Sequence, residues 1–172
     1  EALPSTKIQK LVLSDIGMGP MGLTTLAKFT PDSTAIKEVN LSTNKCFGYQ
    51  GRDHDVDKDQ TGWTAICEAM KGSQTLEKLV LTDIGIGPVG LTTFASVISD
   101  MPAMTEIRLD SNPITGSKYN VKKSSYGNTI GPAAKENGVD EYDCDVSGFV
   151  ALLEAMKSST ISKISIADCD IG

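Results

Sequence analysis

Two acidic runs are the first candidates for chemistry. Asp53, Asp55, Asp57 and Asp59 stand at alternate places, and Glu141, Asp143 and Asp145 repeat the last three of them in register. Three carboxylates so spaced open an EF-hand calcium loop. A loop begun at Asp53, however, puts Lys58 where glycine is needed and Thr64 where the closing glutamate belongs. The match fails at both discriminating places. The carboxylates read better as caps and negative charge ahead of helices, with a calcium-responsive module kept as the alternative.

Nucleophilic chemistry has less to work with. His54 is the single histidine, and Cys46 is the nearest thiol to it. No orienting third group stands at a recognisable spacing from that pair. Cys46, Cys67, Cys144 and Cys169 lack the close spacing of a zinc or redox motif. Scattered thiols without a secretory leader lead us to expect reduced cysteines in a cytoplasmic protein. Gly17, Gly19 and Gly22 do not form a dinucleotide fingerprint, and no phosphate loop with its lysine occurs. The expectation is a protein that is not an enzyme and uses no cofactor or metal.

The same segments hold a different kind of candidate. Cys46-Phe47-Gly48-Tyr49-Gln50-Gly51-Arg52 precedes the first acidic run, and Tyr119, Lys122, Lys123 and Tyr126 precede the second. Mixed aromatic, basic and acidic residues suit contact with another protein. Composition narrows the partner. Sixteen Lys and Arg against 22 Asp and Glu give a net charge of −6, which argues against a general nucleic-acid surface. Aromatics at 5% supply no stacking platform, and no apolar run is long enough to span a membrane.

The elements that position these segments are repeats. Leu11–Thr25 recurs as Leu79–Thr93, and Gly62–Lys71 recurs as Gly148–Lys157. Beneath these pairs lies a shorter unit, with apolar residues at its first, fourth and sixth places. They are Ile8/Leu11/Leu13, Ile36/Val39/Leu41, Leu76/Leu79/Leu81, Met104/Ile107/Leu109 and Ile161/Ile164/Ile166. The ninth place alternates: Ile16, Asn44, Ile84, Asn112, Cys169. Between these motifs, apolar residues at helical spacing follow a glycine, as in Trp63/Ile66/Cys67/Met70. Pro20 and Pro88 mark two helix starts, and Asp59 and Asp145 the other two.

This pattern resembles the leucine-rich repeat of ribonuclease-inhibitor type, across essentially the whole chain. The resemblance implies an α/β solenoid, a horseshoe segment with a curved parallel sheet on its concave side and helices on its convex side. Residues 1–172 are expected to form one such domain, a piece of a longer array, because neither end shows a polar cap. From the ninth place to the helix glycine there are 6 residues in the first and third units, but 18 in the second and 36 in the fourth. Insertions near 46–57 and 114–143 therefore belong to one rim.

The family resemblance also implies a protein-interaction scaffold that binds through the concave face and rim loops. Side-chain alternation turns the third place outward, as Lys10, Glu38, Lys78, Glu106 and Lys163. Asn40, Arg108 and Asp110 share that face. The candidate contacts are these eight residues with Tyr49, Arg52, His54, Tyr119, Lys122, Lys123 and Tyr126. The alternating charges read equally as a solvated ladder. A structural segment with no ligand of its own is the remaining alternative.

Overall fold

The structure is a computed structural model that describes residues 7–30, 35–48, 56–119, 139–169 and 171–172. Among the described residues, seven strands and four helices follow in the order β1 (Lys10–Val12), α1 (Pro20–Ala27), β2 (Glu38–Asn40), α2 (Thr61–Met70), β3 (Lys78–Val80), α3 (Pro88–Ile98), β4 (Glu106–Arg108), β5 (Lys118–Tyr119), β6 (Val139–Glu141), α4 (Ser147–Met156) and β7 (Lys163–Ser165). Five strands form a parallel sheet in the order β1-β2-β3-β4-β7, and β5 pairs antiparallel with β6. The five-stranded sheet is in strict repeat register: Leu11, Val39, Leu79, Ile107 and Ile164 stand side by side.

Each strand of the five-stranded sheet is only three residues long because the backbone turns soon after it. The ladder continues two steps further, ending in bonds such as Thr43 N–H to Thr82 O (2.9 Å) and Ser111 N–H to Ala167 O (2.8 Å). At this eighth place the backbone is left-handed in every unit: Asp15, Thr43, Asp83, Ser111 and Asp168 all have φ between 52° and 58°. Asp tolerates that region, whereas a β-branched Thr is strained in it.

The apolar places of the strands, apart from the exposed Ile8, and one face of each helix close into a single core. Leu41, Leu79, Leu81, Ile107 and Leu109 are among its fully buried members. Helix–helix spacing is set by two glycines. A Cβ on Gly62 would lie 2.2 Å from Pro20 O, and one on Gly148 would lie 2.2 Å from Pro88 O. Only a residue without a Cβ lets α2 approach the start of α1, and α4 the start of α3. The prolines begin their helices as expected, and their missing N–H removes a donor with no intrahelical partner.

Phe47, Trp63 and Phe94 form the centre. Trp63 lies 5.5 Å from Phe47 and 5.9 Å from Phe94 between ring centroids, and its Nε1–H donates to Gly90 O at 2.8 Å. All three rings are fully buried. Their tilted stacking adds about 0.5–1.5 kcal/mol per pair beyond burial. Cys46, Cys67 and Cys169 are buried, and Cys144 is exposed.

Candidate protein-interaction surface

The exposed face of the sheet carries the third-place row in register. Lys10 Nζ pairs with Glu38 Oε1 at 3.0 Å. Further along, three cations converge on Glu106: Arg108 at 2.8 Å, Lys163 at 3.3 Å and Lys78 at 3.4 Å. The Arg108 hydrogen bond, followed by Lys163 and Lys78, holds the Glu106 carboxyl down to about 2 from an ordinary 4.5. Asp110 Oδ1 accepts Ala167 N–H (2.8 Å) and the Ser165 hydroxyl. Asn40 turns its carboxamide oxygen back onto Ser42 N–H at 2.9 Å. Lys78, Arg108 and Lys163 thus share one carboxylate, Glu106, while Asp110 is held separately by Ser165 and Ala167, and Lys10 and Glu38 form a separate pair. Exposed pairs of this kind each contribute about 0–1 kcal/mol.

Most of the expected rim contacts are not among the described residues. Tyr49, Arg52, His54, Lys122, Lys123 and Tyr126 lie outside the described residues, as do Asp53 and Asp55. Tyr119 falls in β5, where only its backbone is described. The departure points of the two segments are clear, however. Asp59 N–H donates to Phe47 O at 3.1 Å, and Asp145 N–H donates to Thr115 O at 2.9 Å. Each bond clips together the two ends of a segment, which runs from Gly48 to Lys58 or from Gly116 to Cys144. Both excursions begin two residues later than expected. Cys46 and Phe47 are core residues, as are Ile114 and Thr115 at the equivalent places. Burial pushes the Cys46 thiol up to about 12, and raises that of Cys67 as well.

The acidic runs serve helix starts, though only partly as their spacing suggested. Asp59 Oδ1 accepts Thr61 N–H at 2.9 Å and Asp145 Oδ1 accepts Ser147 N–H at 2.9 Å, each from one residue before the N-cap. The hydroxyl and amide of Thr61 lower the pKa of Asp59, and those of Ser147 do the same for Asp145. Asp57 reaches a different helix. Its Oδ1 accepts Gly87 N–H at 2.9 Å and its Oδ2 accepts Val89 N–H at 2.8 Å, capping α3 from 30 and 32 residues away. Among the described residues no group of three or more His, Cys, Asp or Glu side chains could hold a metal ion.

Two buried asparagines tie the units together. Asn112 Oδ1 accepts the amides of Ile84, Gly85 and Ile86 at 3.0–3.2 Å, and its Nδ2 donates to Leu81 O (2.7 Å) and Leu109 O (2.8 Å). Asn44 does the same one repeat pair earlier, with Ile16, Met18, Leu13 and Leu41. The ninth-place alternation marked these positions but not their partners. A cavity of about 250 Å³ lies between the ends of α1 and α2, lined by residues that include Thr30, Ile36, Val39 and Met70. Its lining lysine, Lys71, pairs with Asp100 at 3.4 Å.

The fold defines an α/β repeat protein with five parallel strands and four helices, a sheet consistent with leucine-rich-repeat architecture. No protein-family model and no curated protein matches the chain. Among solved structures it is similar to one titled Leiomodin-1 Actin-Binding Site 2, with a TM-score of 0.57 at 13% identity, covering 92% of this chain and 69% of that one. At that identity the likeness is one of fold. Among the described residues no helix is long and apolar enough to cross a membrane.

Proposed function

We propose that this chain is a leucine-rich-repeat solenoid of ribonuclease-inhibitor type that binds a protein partner through the segments 48–58 and 116–144. The observation that carries this reading is their common anchorage. Equivalent backbone bonds, Asp59 to Phe47 and Asp145 to Thr115, fix both segments to the core at the same place in alternate units. Binding segments on a rigid support lose less freedom on association. The sheet face is the poorer candidate, because its charges already satisfy one another. The function is scaffolding without catalysis, cofactor or metal, in the cytoplasm. It is exercised on a protein rather than on nucleic acid or a membrane.

The solved structure of similar fold is titled an actin-binding site, which makes actin the first partner to test. Filament cosedimentation and monomer pull-down would use the intact chain and a variant with 49–55 and 120–138 replaced by Gly/Ser of equal length. That replacement leaves Asp57, Asp59 and Asp145 in place to hold the helices. Binding by the intact chain and its loss in the variant is the expected result. Equal binding by both would remove the two segments from the interface.

A further inference from the structure

The first unit lacks a helical turn that the third unit has. Leu11 matches Leu79, and at the same offset of 68 residues Phe29 matches Val97, Thr30 matches Ile98 and Ile36 matches Met104. Helix α3 continues to Ile98, but α1 ends at Ala27, short of the matching place. Pro31 follows Thr30 in the sequence, and the residue before a proline is disfavoured in the helical region. Val97, Ile98 and Met104 are all fully buried. In the first unit Phe29 is 40% exposed, and Thr30 and Ile36 are only half-buried.

The space left by the missing turn is the cavity between α1 and α2. Its 250 Å³ or so opens beside Thr30, walled by Ile36 and Val39 on one side and by Ala69, Met70 and Leu76 of the second unit on the other. A further pocket of about 50 Å³ shares Thr30, Ile36, Val39 and Met70 as walls and reaches Leu26 and Ile66. An apolar cavity of about 150 Å³ is enough to take up benzene. Both units supply walls, so the space lies inside the stack and not on an end face.

The polar groups at the mouth are already engaged within the chain. Thr30 Oγ1 donates to Leu26 O and Thr75 Oγ1 to Ile36 O, both at 3.0 Å. Gln74 Nε2 donates to Gly72 O at 2.9 Å, Ser73 Oγ accepts Leu76 N–H at 3.2 Å, and Lys71 is paired with Asp100. A charged or strongly polar end would lose its hydration on entry and meet groups that already have partners. What the cavity offers an entering molecule is apolar contact.

We propose that this cavity binds a small, uncharged aliphatic molecule, seated in the place that the last turn of α3 fills with Ile98. The chain's own filler in the third unit sets the chemistry: a compact aliphatic group that needs no hydrogen bond.

The probe is n-hexanol, titrated into the intact chain and followed by proton–carbon methyl spectra and by thermal unfolding. The methyls of Ile36, Val39 and Leu76 should shift saturably while those of Ile107 and Ile164 stay in place. Tm should rise by about 5–10 °C at about a hundredfold excess over the dissociation constant. Hexanoate should bind at least about tenfold more weakly, because its carboxylate would have to compete with Asp100 for Lys71. Thr30→Ile supplies the filler of the third unit, and should raise Tm without hexanol while weakening hexanol binding at least about tenfold. Ala69→Leu narrows the cavity from α2 and should weaken binding likewise, which decides the matter if Thr30→Ile fails to fold. Shifts that never saturate, hexanoate binding as tightly as hexanol, or full affinity in a folded variant of either kind would overturn the proposal.

Discussion

Replacing Asn112 with alanine isolates the part of the fold that ties one repeat to the next. The substitution strands the amides of Ile84, Gly85 and Ile86 and the carbonyls of Leu81 and Leu109, in a place where Ile84 and Ile86 are fully buried. A buried polar group left unsatisfied costs about 1–3 kcal/mol. One water admitted to the vacated space could serve two or three of these groups, leaving a loss of about 3–5 kcal/mol. Asn44→Ala is the matched control. It frees the amides of Ile16 and Met18 and the carbonyls of Leu13 and Leu41, but Ile16 is 58% exposed, so solvent can reach the two amides. A loss of about 1–2 kcal/mol is expected there. Urea midpoints separate the two, since a slope of about 1–3 kcal/mol per molar turns the difference into a clear shift. Equal losses, or a larger one for Asn44→Ala, would refute the claim that desolvation of the inner hub sets its value.

Three other measurements address single contacts. Asp57→Ala should lower stability by about 1–2 kcal/mol in thermal unfolding and Asp57→Asn by about half as much, because the carboxamide keeps one of the two accepting oxygens; equal effects would leave the two bonds to α3 without weight. Glu106 is held at about 2 against an ordinary 4.5, so its ionised form is favoured in the folded state. Its stabilising contribution is present above the unfolded value and is lost as pH falls from about 4.5 towards 2. Glu106→Gln should therefore flatten the acid limb of a stability–pH curve in that window, and parallel curves would count against the three-cation cluster. Alkylation followed by mass analysis should label Cys144 first, with Cys46 and Cys67 protected until unfolding, since both are buried with raised thiol pKa values. Comparable native rates at Cys46 would contradict its place in the core.

The architecture was legible because each unit repeats the same apolar places, and stacked units satisfy them in the same way. Leu11, Val39, Leu79, Ile107 and Ile164 could be aligned in one dimension and are aligned in the sheet. Trp63 and Cys67 were legible as core from their helical spacing, and both are fully buried. Contacts across units were harder to read. Asp57 lies close in sequence to α2 but caps α3, whose amides are 30 and 32 residues away. Counting from the ninth place gave the length of each insertion but not its start. Cys46 and Phe47 follow Asn44 inward before the chain departs at Gly48, so an apparent loop aromatic is a partner of Trp63. On the sheet face, the sequence showed alternating charge but not that Arg108, Lys78 and Lys163 would all meet at Glu106.

The most direct test of the binding proposal is amide hydrogen exchange on the chain alone and with actin. Slower exchange confined to 48–58 and 116–144, with the Lys10 to Lys163 row unchanged, is the predicted result. Protection along the exposed face of the five strands with both segments untouched, or no protection anywhere, would contradict it.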